Sequence, residues 1–119
     1  MNNLTSKEIF EVSQMIDRPF ADTEAIVELF YNLAETEQNK YLQNFVADNL
    51  TVKDYAYIYE NLNCYLYNTI EELIESEVDQ GGWDAPKTEW YSLCTDFVFD
   101  ELNKSIYKMS NGKYIQFYI

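Results

Sequence analysis

The chain of 119 residues contains no histidine, and that absence removes several kinds of chemistry. Histidine is the commonest general base, the usual partner of a nucleophile and the usual transition-metal ligand. The two cysteines, Cys64 and Cys94, lack the ligand spacing of a zinc site. Phosphate-binding glycine loops, nucleophile elbows and EF-hand loops are also missing. We therefore expect no enzymatic activity, no metal and no cofactor.

Cysteine, glycine and proline are all scarce, with two, three and two residues respectively. Two cysteines do not make a disulfide framework, and the first seven residues do not have the pattern of a signal peptide. No apolar run approaches the roughly 18 residues of a membrane span. Without a linker composition, residues 1–119 are predicted to form one cytoplasmic domain with reduced thiols.

Basic residues are few: 8 Lys and Arg stand against 21 Asp and Glu, a net charge of −13. The stretch from Asp54 to Pro86 has no basic residue at all. Such a charge repels nucleic acid and anionic membranes and attracts basic surfaces. Because proteins that bind nucleic acid are the commonest owners of basic surfaces, we expect a partner of that class. Direct binding to nucleic acid or to a membrane is not expected.

Aromatic residues, in contrast, are abundant: eleven Tyr, seven Phe and two Trp. An apolar content of 47% favours a folded chain despite the charge. Eleven Tyr are too many to bury with satisfied hydroxyls, so some should be half-exposed, as at interfaces. This excess of Tyr and the open edge of a C-terminal β-hairpin would both allow a homodimer.

Helix-start signals organise the first third of the chain. Thr5 and Glu8 form a capping box that begins a helix ending near Asp17. The apolar spacing then predicts a second helix, with Asp22 or Thr23 as its cap.

The middle of the chain carries both helical and strand patterns. The helical spacing weakens near Thr36 and resumes at Tyr41, which predicts either two helices or one bent helix. Thr51 and Asp54 begin a further helix. From Tyr55 to Tyr67 the apolar stripe favours helix, but alternation also permits a strand.

The last third predicts a helix from Asp84 to Leu102 and then a hairpin. Asn111-Gly112 is typical of a two-residue hairpin turn. The arms expected from this turn are Ser105 to Met109 and Tyr114 to Ile119, with Ile106 opposite Phe117 and Met109 opposite Tyr114. A lone hairpin is marginal in water, so it must pack on helices, add to a strand or join a partner. The predicted fold is mainly α with a small β part: a compact bundle of four to five helices plus a C-terminal β-hairpin.

The segment from Asn68 to Asp84 concentrates carboxylates. Read as a helix, it has Thr69 as cap, Glu72 closing a capping box and its apolar residues on one face. Like charges four residues apart repel by about 0.2 to 0.5 kcal/mol, which favours a partner for the other face. The candidate partner-binding residues are Glu71, Glu72, Glu75, Glu77, Asp79 and Asp84, a second row of Asp96, Asp100 and Glu101, and the neighbouring Tyr65, Tyr67 and Trp83.

Four segments of the chain resemble the end of ArdA-type antirestriction proteins. They are Thr69-Ile70-Glu71-Glu72-Leu73, Gly81-Gly82, the run from Thr95 to Tyr107, and the run from Gly112 to Phe117. The resemblance covers Asn68 to Ile119 and lacks the family's N-terminal domain and most of its Tyr-rich motif. It implies a counter-defence protein of a phage or plasmid, acting in the cytoplasm of the host bacterial cell. That family, like some anti-CRISPR proteins, binds host DNA-handling enzymes through carboxylates that replace phosphates.

Three functional hypotheses follow. The first is an inhibitor of a CRISPR nuclease or restriction-modification complex, which mimics nucleic-acid phosphates in the binding channel or docks on a basic patch elsewhere. The second is an acidic interaction module, such as an antitoxin or adaptor, that acts by docking or allostery without mimicry. The third is that the charge serves solubility alone.

Overall fold

A computed structural model describes residues 4–36, 39–45, 49–81 and 106–117. In chain order these form α1 (Ser6–Ile16), α2 (Phe20–Glu35), α3 (Lys40–Gln43), α4 (Val52–Asn61), β1 (Tyr65–Tyr67), α5 (Ile70–Gly81), β2 (Ile106–Lys108) and β3 (Tyr114–Gln116). The prediction of a mainly helical fold with a small β part is confirmed. The helix predicted between Asp84 and Leu102 lies outside the described residues.

Two helices begin with capping boxes; the sequence predicts the first as a box and the second through its cap, Thr51. At α1, the Glu8 backbone N–H donates to Thr5 Oγ1 (3.2 Å), and the Thr5 N–H donates to the Glu8 carboxylate (3.0 Å). Thr51 and Asp54 make the same reciprocal pair at α4, at 3.4 and 2.8 Å. Each box satisfies backbone donors that a helix start leaves free.

The predicted start of α2 is wrong, because the helix begins directly after Pro19. Pro19 occupies the N-cap position with a ψ of 150°, and no side chain caps this helix start. Asp22 therefore lies in the first turn, where its Oδ1 accepts from Lys113 Nζ (2.8 Å) and Asn111 Nδ2 (3.1 Å). Thr23 is buried and donates back to the Pro19 carbonyl (3.0 Å). Asp22, which is predicted to cap α2, instead binds the turn of the hairpin.

The break predicted near Thr36 is confirmed, since α2 ends at Glu35 and the short α3 follows. The segment from Tyr55 to Tyr67 contains both predicted patterns in succession. The favoured interpretation, a helix throughout this segment, is wrong. The helix α4 ends at Asn61, Asn63 has a left-handed φ of 47°, and the strand β1 follows. A left-handed residue ends a helix, and the β-prone residues beyond it pair with β3.

The hairpin forms, but its predicted register is wrong by one residue. Met109 N–H donates to the Lys113 carbonyl (2.8 Å) across a three-residue loop, in which Gly112 has a φ of 84°. Ile106 consequently pairs with Gln116, and not with Phe117. A one-residue shift exchanges the two faces of a strand. The observed register turns Ile115 and Phe117 into the core, where both are fully buried.

The sheet is antiparallel with the order β1-β3-β2, so the hairpin has added to a third strand, one of the three outcomes expected. One face, with Ile115 and Phe117, packs on the helical core. The Phe117 ring meets the Phe30 ring of α2 edge-on at 5.6 Å and stacks on Tyr107 at 5.2 Å. The opposite face carries Tyr67, whose hydroxyl reaches α5. The sheet therefore lies between the helical core and α5.

Candidate acidic binding face

The start of α5 is fixed by hydrogen bonds that include one candidate residue. Glu72 N–H donates to Thr69 Oγ1 (3.3 Å), and the Glu72 carboxylate accepts from the Asn68 N–H (2.9 Å). This is a variant of the predicted capping box, because the carboxylate reaches one residue before the cap. Glu72 stays exposed while stabilising the helix start.

The acidic side chains of the first turns of α5 lie on a different side of the helix from the buried Leu73. Leu73 is fully buried, and Ser76, one turn later, approaches the Tyr67 hydroxyl on the sheet. Glu71 and Glu75 each lie two residues from Leu73, about 200° round the helix. Glu71 is exposed and Glu75 is half-buried. The buried side of α5 therefore sets the direction of its acidic side.

The two candidate tyrosines of β1 have different positions. The Tyr67 hydroxyl lies 3.2 Å from Ser76 Oγ and 3.3 Å from Gln116 Oε1, so it joins β1, α5 and β3. Tyr65 is 51% exposed on the same strand. Tyr67 thus links α5 to the sheet from within the fold, whereas about half of the Tyr65 side chain is exposed.

The structure brings only some of the predicted site residues together. Glu71, Glu72 and Glu75 share the first half of α5, with Tyr65 and Tyr67 on the adjoining strand, and Glu77 and Asp79 follow on the same helix. Outside the described residues lie Trp83, Asp84, Asp96, Asp100 and Glu101. Sequence reasoning missed Ser76 and Gln116, the partners of Tyr67. The contact between Gln116 and Tyr67 follows from the pairing of β1 with β3. Neither helical nor strand periodicity in the sequence predicts which strands pair.

Cys64, immediately before β1, is a free thiol packed against the helical core. Burial raises its pKa to about 12, and the Arg18 guanidinium lowers it only in part. A thiol with such a pKa is protonated at neutral pH and is a weak nucleophile. Cys64 therefore belongs to the packing of the sheet and not to reactive chemistry.

Within the described ranges, no group of three or more acidic or cysteine side chains is arranged to hold a metal ion. None of the helices described is both long and apolar enough to cross a membrane. The most specific chemical feature of this region is therefore a row of carboxylates on a helix braced by a sheet.

No protein-family model, no curated protein and no solved structure matches the chain. The resemblance of residues 68–119 to ArdA-type antirestriction proteins stays a prediction.

Proposed function

We propose that the chain is a non-enzymatic inhibitor of a host defence enzyme that binds nucleic acid, either a CRISPR nuclease or a restriction-modification complex. Its acidic surface, with the α5 carboxylates at the centre, takes the place of nucleic-acid phosphates. The observation that carries this proposal is the orientation of α5: Leu73 is buried, while Glu71 and Glu72 are exposed.

Charge chemistry supports this choice of partner. Arg and Lys side chains of a nucleic-acid channel make charge-assisted hydrogen bonds to phosphate oxygens, and they make the same bonds to carboxylates. Glu71 and Glu75 lie one helical turn apart, about 5 to 6 Å, which presents neighbouring acceptors to such cations. The net charge of −13 draws a basic partner over longer distances.

Rigidity supports it further. The helix start is closed by Thr69 and Glu72, and the Tyr67 hydroxyl connects α5 to the sheet. A surface that is already ordered loses less conformational entropy when it binds. Tyr65, half-exposed on the strand that precedes α5, would add aromatic contact area where DNA offers sugars and bases.

One observation favours the second candidate, an acidic interaction module that does not mimic nucleic acid. The Tyr41, Phe45 and Tyr57 rings follow one another at 5.6 and 5.8 Å, and Tyr57 is 51% exposed. A partner bound through this aromatic surface would respond weakly to salt. Binding through the α5 carboxylates would respond strongly.

The first test uses bacteria that carry a CRISPR nuclease or a restriction-modification complex and express the chain. They are transformed with a plasmid that the system cleaves, and transformants are counted. We expect the wild-type chain to protect the plasmid and the Glu71→Lys/Glu75→Lys variant to lose protection. The Glu35→Lys/Glu60→Lys variant makes the same change in net charge at two other exposed positions, and should still protect. Equal loss in both variants, or no protection in any system, would refute the proposal.

The second test measures binding to the purified target enzyme. Affinity should fall steeply between low and high salt, and duplex DNA or guide RNA should compete with the chain. An affinity that changes neither with salt concentration nor with added nucleic acid would favour the interaction module.

A further inference from the structure

The loop of the β-hairpin is bound to the start of α2 by one buried carboxylate. Asp22 Oδ1 accepts from Lys113 Nζ at 2.8 Å and from Asn111 Nδ2 at 3.1 Å. The Asp22 side chain is only 11% exposed, so this ion pair is partly shielded from solvent. Asn111 Oδ1 also accepts from the Lys113 backbone N–H at 3.1 Å, which orders the loop itself. We call Asp22, Asn111 and Lys113 the hairpin anchor.

The sheet that the hairpin completes buries separate apolar groups on its two faces. On one face, Ile115 and Phe117 belong to the helical core. On the other face, Ile106 is buried opposite Gln116, and it is not part of that core. Leu73 of α5 is also fully buried and also lies outside the helical core. Among the described residues, α5 therefore depends on the sheet, and not on the helices, for the burial of its apolar side.

Hydrogen bonds connect the hairpin to α5 through the same sheet. Gln116 of β3 is 4% exposed, and its Oε1 lies 3.3 Å from the Tyr67 hydroxyl of β1. That hydroxyl lies 3.2 Å from Ser76 Oγ of α5. Because β3 is the central strand, movement of the hairpin away from the helices would remove the backbone partner of β1 and the Gln116 contact together.

We propose that the hairpin anchor controls the order of the acidic helix. When Asp22 releases the loop, the hairpin, β1 and α5 open together as one cooperative unit, while α1 and α4 stay folded. Native proteins open locally in contiguous units of this kind. The helices α1 and α4 begin with their own capping boxes, and neither start involves the hairpin. A binding surface that is ordered loses less conformational entropy when it binds, so the anchor would also influence what α5 can bind.

Amide hydrogen exchange of the ¹⁵N-labelled chain, followed by NMR, tests this inference. Three backbone N–H groups that donate to backbone carbonyls serve as reporters: Met109 for the hairpin, Leu73 for α5 and Ile9 for α1. Asp22→Asn removes the ion pair and should speed exchange at Met109 and Leu73 by the same factor, about tenfold, the equivalent of one hydrogen bond to a charged group. Exchange at Ile9 should change by less than about twofold.

Two matched controls separate the anchor from a general effect of charge. Glu24→Gln makes the same change in charge at an exposed position two residues further along α2, and should leave all three reporters unchanged. Lys113→Gln removes the other half of the ion pair and should reproduce the Asp22→Asn result. Lys108→Gln, at an exposed position on β2, is its control and should have no such effect.

A substitution at the other end of the proposed unit tests its cooperativity. Tyr67→Phe removes the hydroxyl that joins β1, α5 and β3. If these elements open together, exchange should become faster at Met109 as well as at Leu73, by about fivefold at both, since the lost hydrogen bonds are neutral. Energetic coupling between two sites acts equally in both directions.

Three results would overturn the inference. Faster exchange at Met109 alone in Asp22→Asn would mean that the anchor orders only the loop. An equal increase at Ile9 would mean that the substitution lowers the stability of the whole chain. Loss of the helical circular dichroism signal in both Asp22→Asn and Lys113→Gln would mean the same. All these measurements use the chain alone, so they do not depend on whether α5 binds a defence enzyme.

Discussion

The helical part of the molecule and the sheet with α5 differ in what determines them. The starts of α1 and α4 are set by side chains three residues apart, Thr5 with Glu8 and Thr51 with Asp54. The sheet joins β1 to β3, strands separated by more than forty residues. Local signals thus shape one region and distant pairing shapes the other. The candidate acidic helix belongs to the region that distant pairing positions.

The largest expected effect comes from removing the side chain that joins the two regions. Phe117→Ala should lower the free energy of unfolding by about 3 to 5 kcal/mol, because a fully buried ring that contacts Phe30 and Tyr107 is lost. Urea denaturation measures this change in the free energy of unfolding. Phe10→Ala, at a position 53% exposed on α1, is the control and should change stability by less than about 0.5 kcal/mol. Similar values for the two variants would show that the sheet does not complete the helical core.

Alkaline pH should weaken the junction between the regions. An unfolded thiol has a pKa of about 8.5, whereas burial raises that of Cys64 to about 12. Between these values the unfolded state releases a proton that the folded state keeps, so stability is complete below about pH 8.5 and falls as pH rises. The fall should approach about 1.4 kcal/mol per pH unit.

Urea denaturation from pH 8 to pH 10 checks this expectation. Cys64→Ala should show a shallower fall over that range than the wild type, since the thiol is gone. Tyrosine side chains, with a pKa of about 10 in the unfolded state, are the same in the two chains, so their effect cancels in the difference. Identical pH profiles for the two chains would mean that Cys64 titrates alike in the folded and unfolded states.

The hairpin turn offers a test within the sheet. Gly112→Ala should cost about 1 to 2 kcal/mol, because the positive φ of 84° suits glycine and not alanine. An added Cβ meets no atom within 4 Å, so the cost is conformational and not steric crowding. Gly112→Asn should cost less, since asparagine tolerates the left-handed region. Thermal unfolding of the three chains provides the comparison. Equal losses for Ala and Asn would contradict the assigned turn.

Two tyrosines of α4 test what a buried hydroxyl contributes to stability with and without a hydrogen-bond partner. The Tyr59 hydroxyl accepts from Arg18 Nε at 2.7 Å, so Tyr59→Phe should cost about 0.5 to 1.5 kcal/mol. The Tyr55 hydroxyl is buried without a hydrogen-bond partner among the described residues, and burial raises its pKa. Tyr55→Phe should therefore leave stability unchanged or raise it by up to about 1 kcal/mol. Urea denaturation midpoints of the two variants measure both changes. If Tyr55→Phe lost as much stability as Tyr59→Phe, the Tyr55 hydroxyl would have a hydrogen-bond partner.

Prediction from sequence succeeded where the information is local. The sequence predicts the capping box of Thr5 and Glu8, Thr51 as the cap of α4, and a break or bend near Thr36. For the hairpin it leaves three outcomes open, and addition to a third strand is one of them. The predicted start of α2 is wrong because Pro19 itself takes the N-cap position, without a side-chain hydrogen bond. The predicted register is wrong because Asn-Gly fits hairpin loops of two and of three residues. The acidic side of α5 followed from helical spacing. The bracing role of Tyr67 did not, since it depends on Ser76 and Gln116 from two other elements.

The central position of β3 has a consequence for biosynthesis. Phe30 is translated long before Phe117, the ring that meets it, and β3 also separates the two other strands. During synthesis, part of the apolar surface of the helices stays exposed until β3 and Phe117 have been made. Folds that depend on such distant contacts form slowly and are prone to aggregate in the interval. Newly made copies are therefore expected to need protection until the late segment arrives.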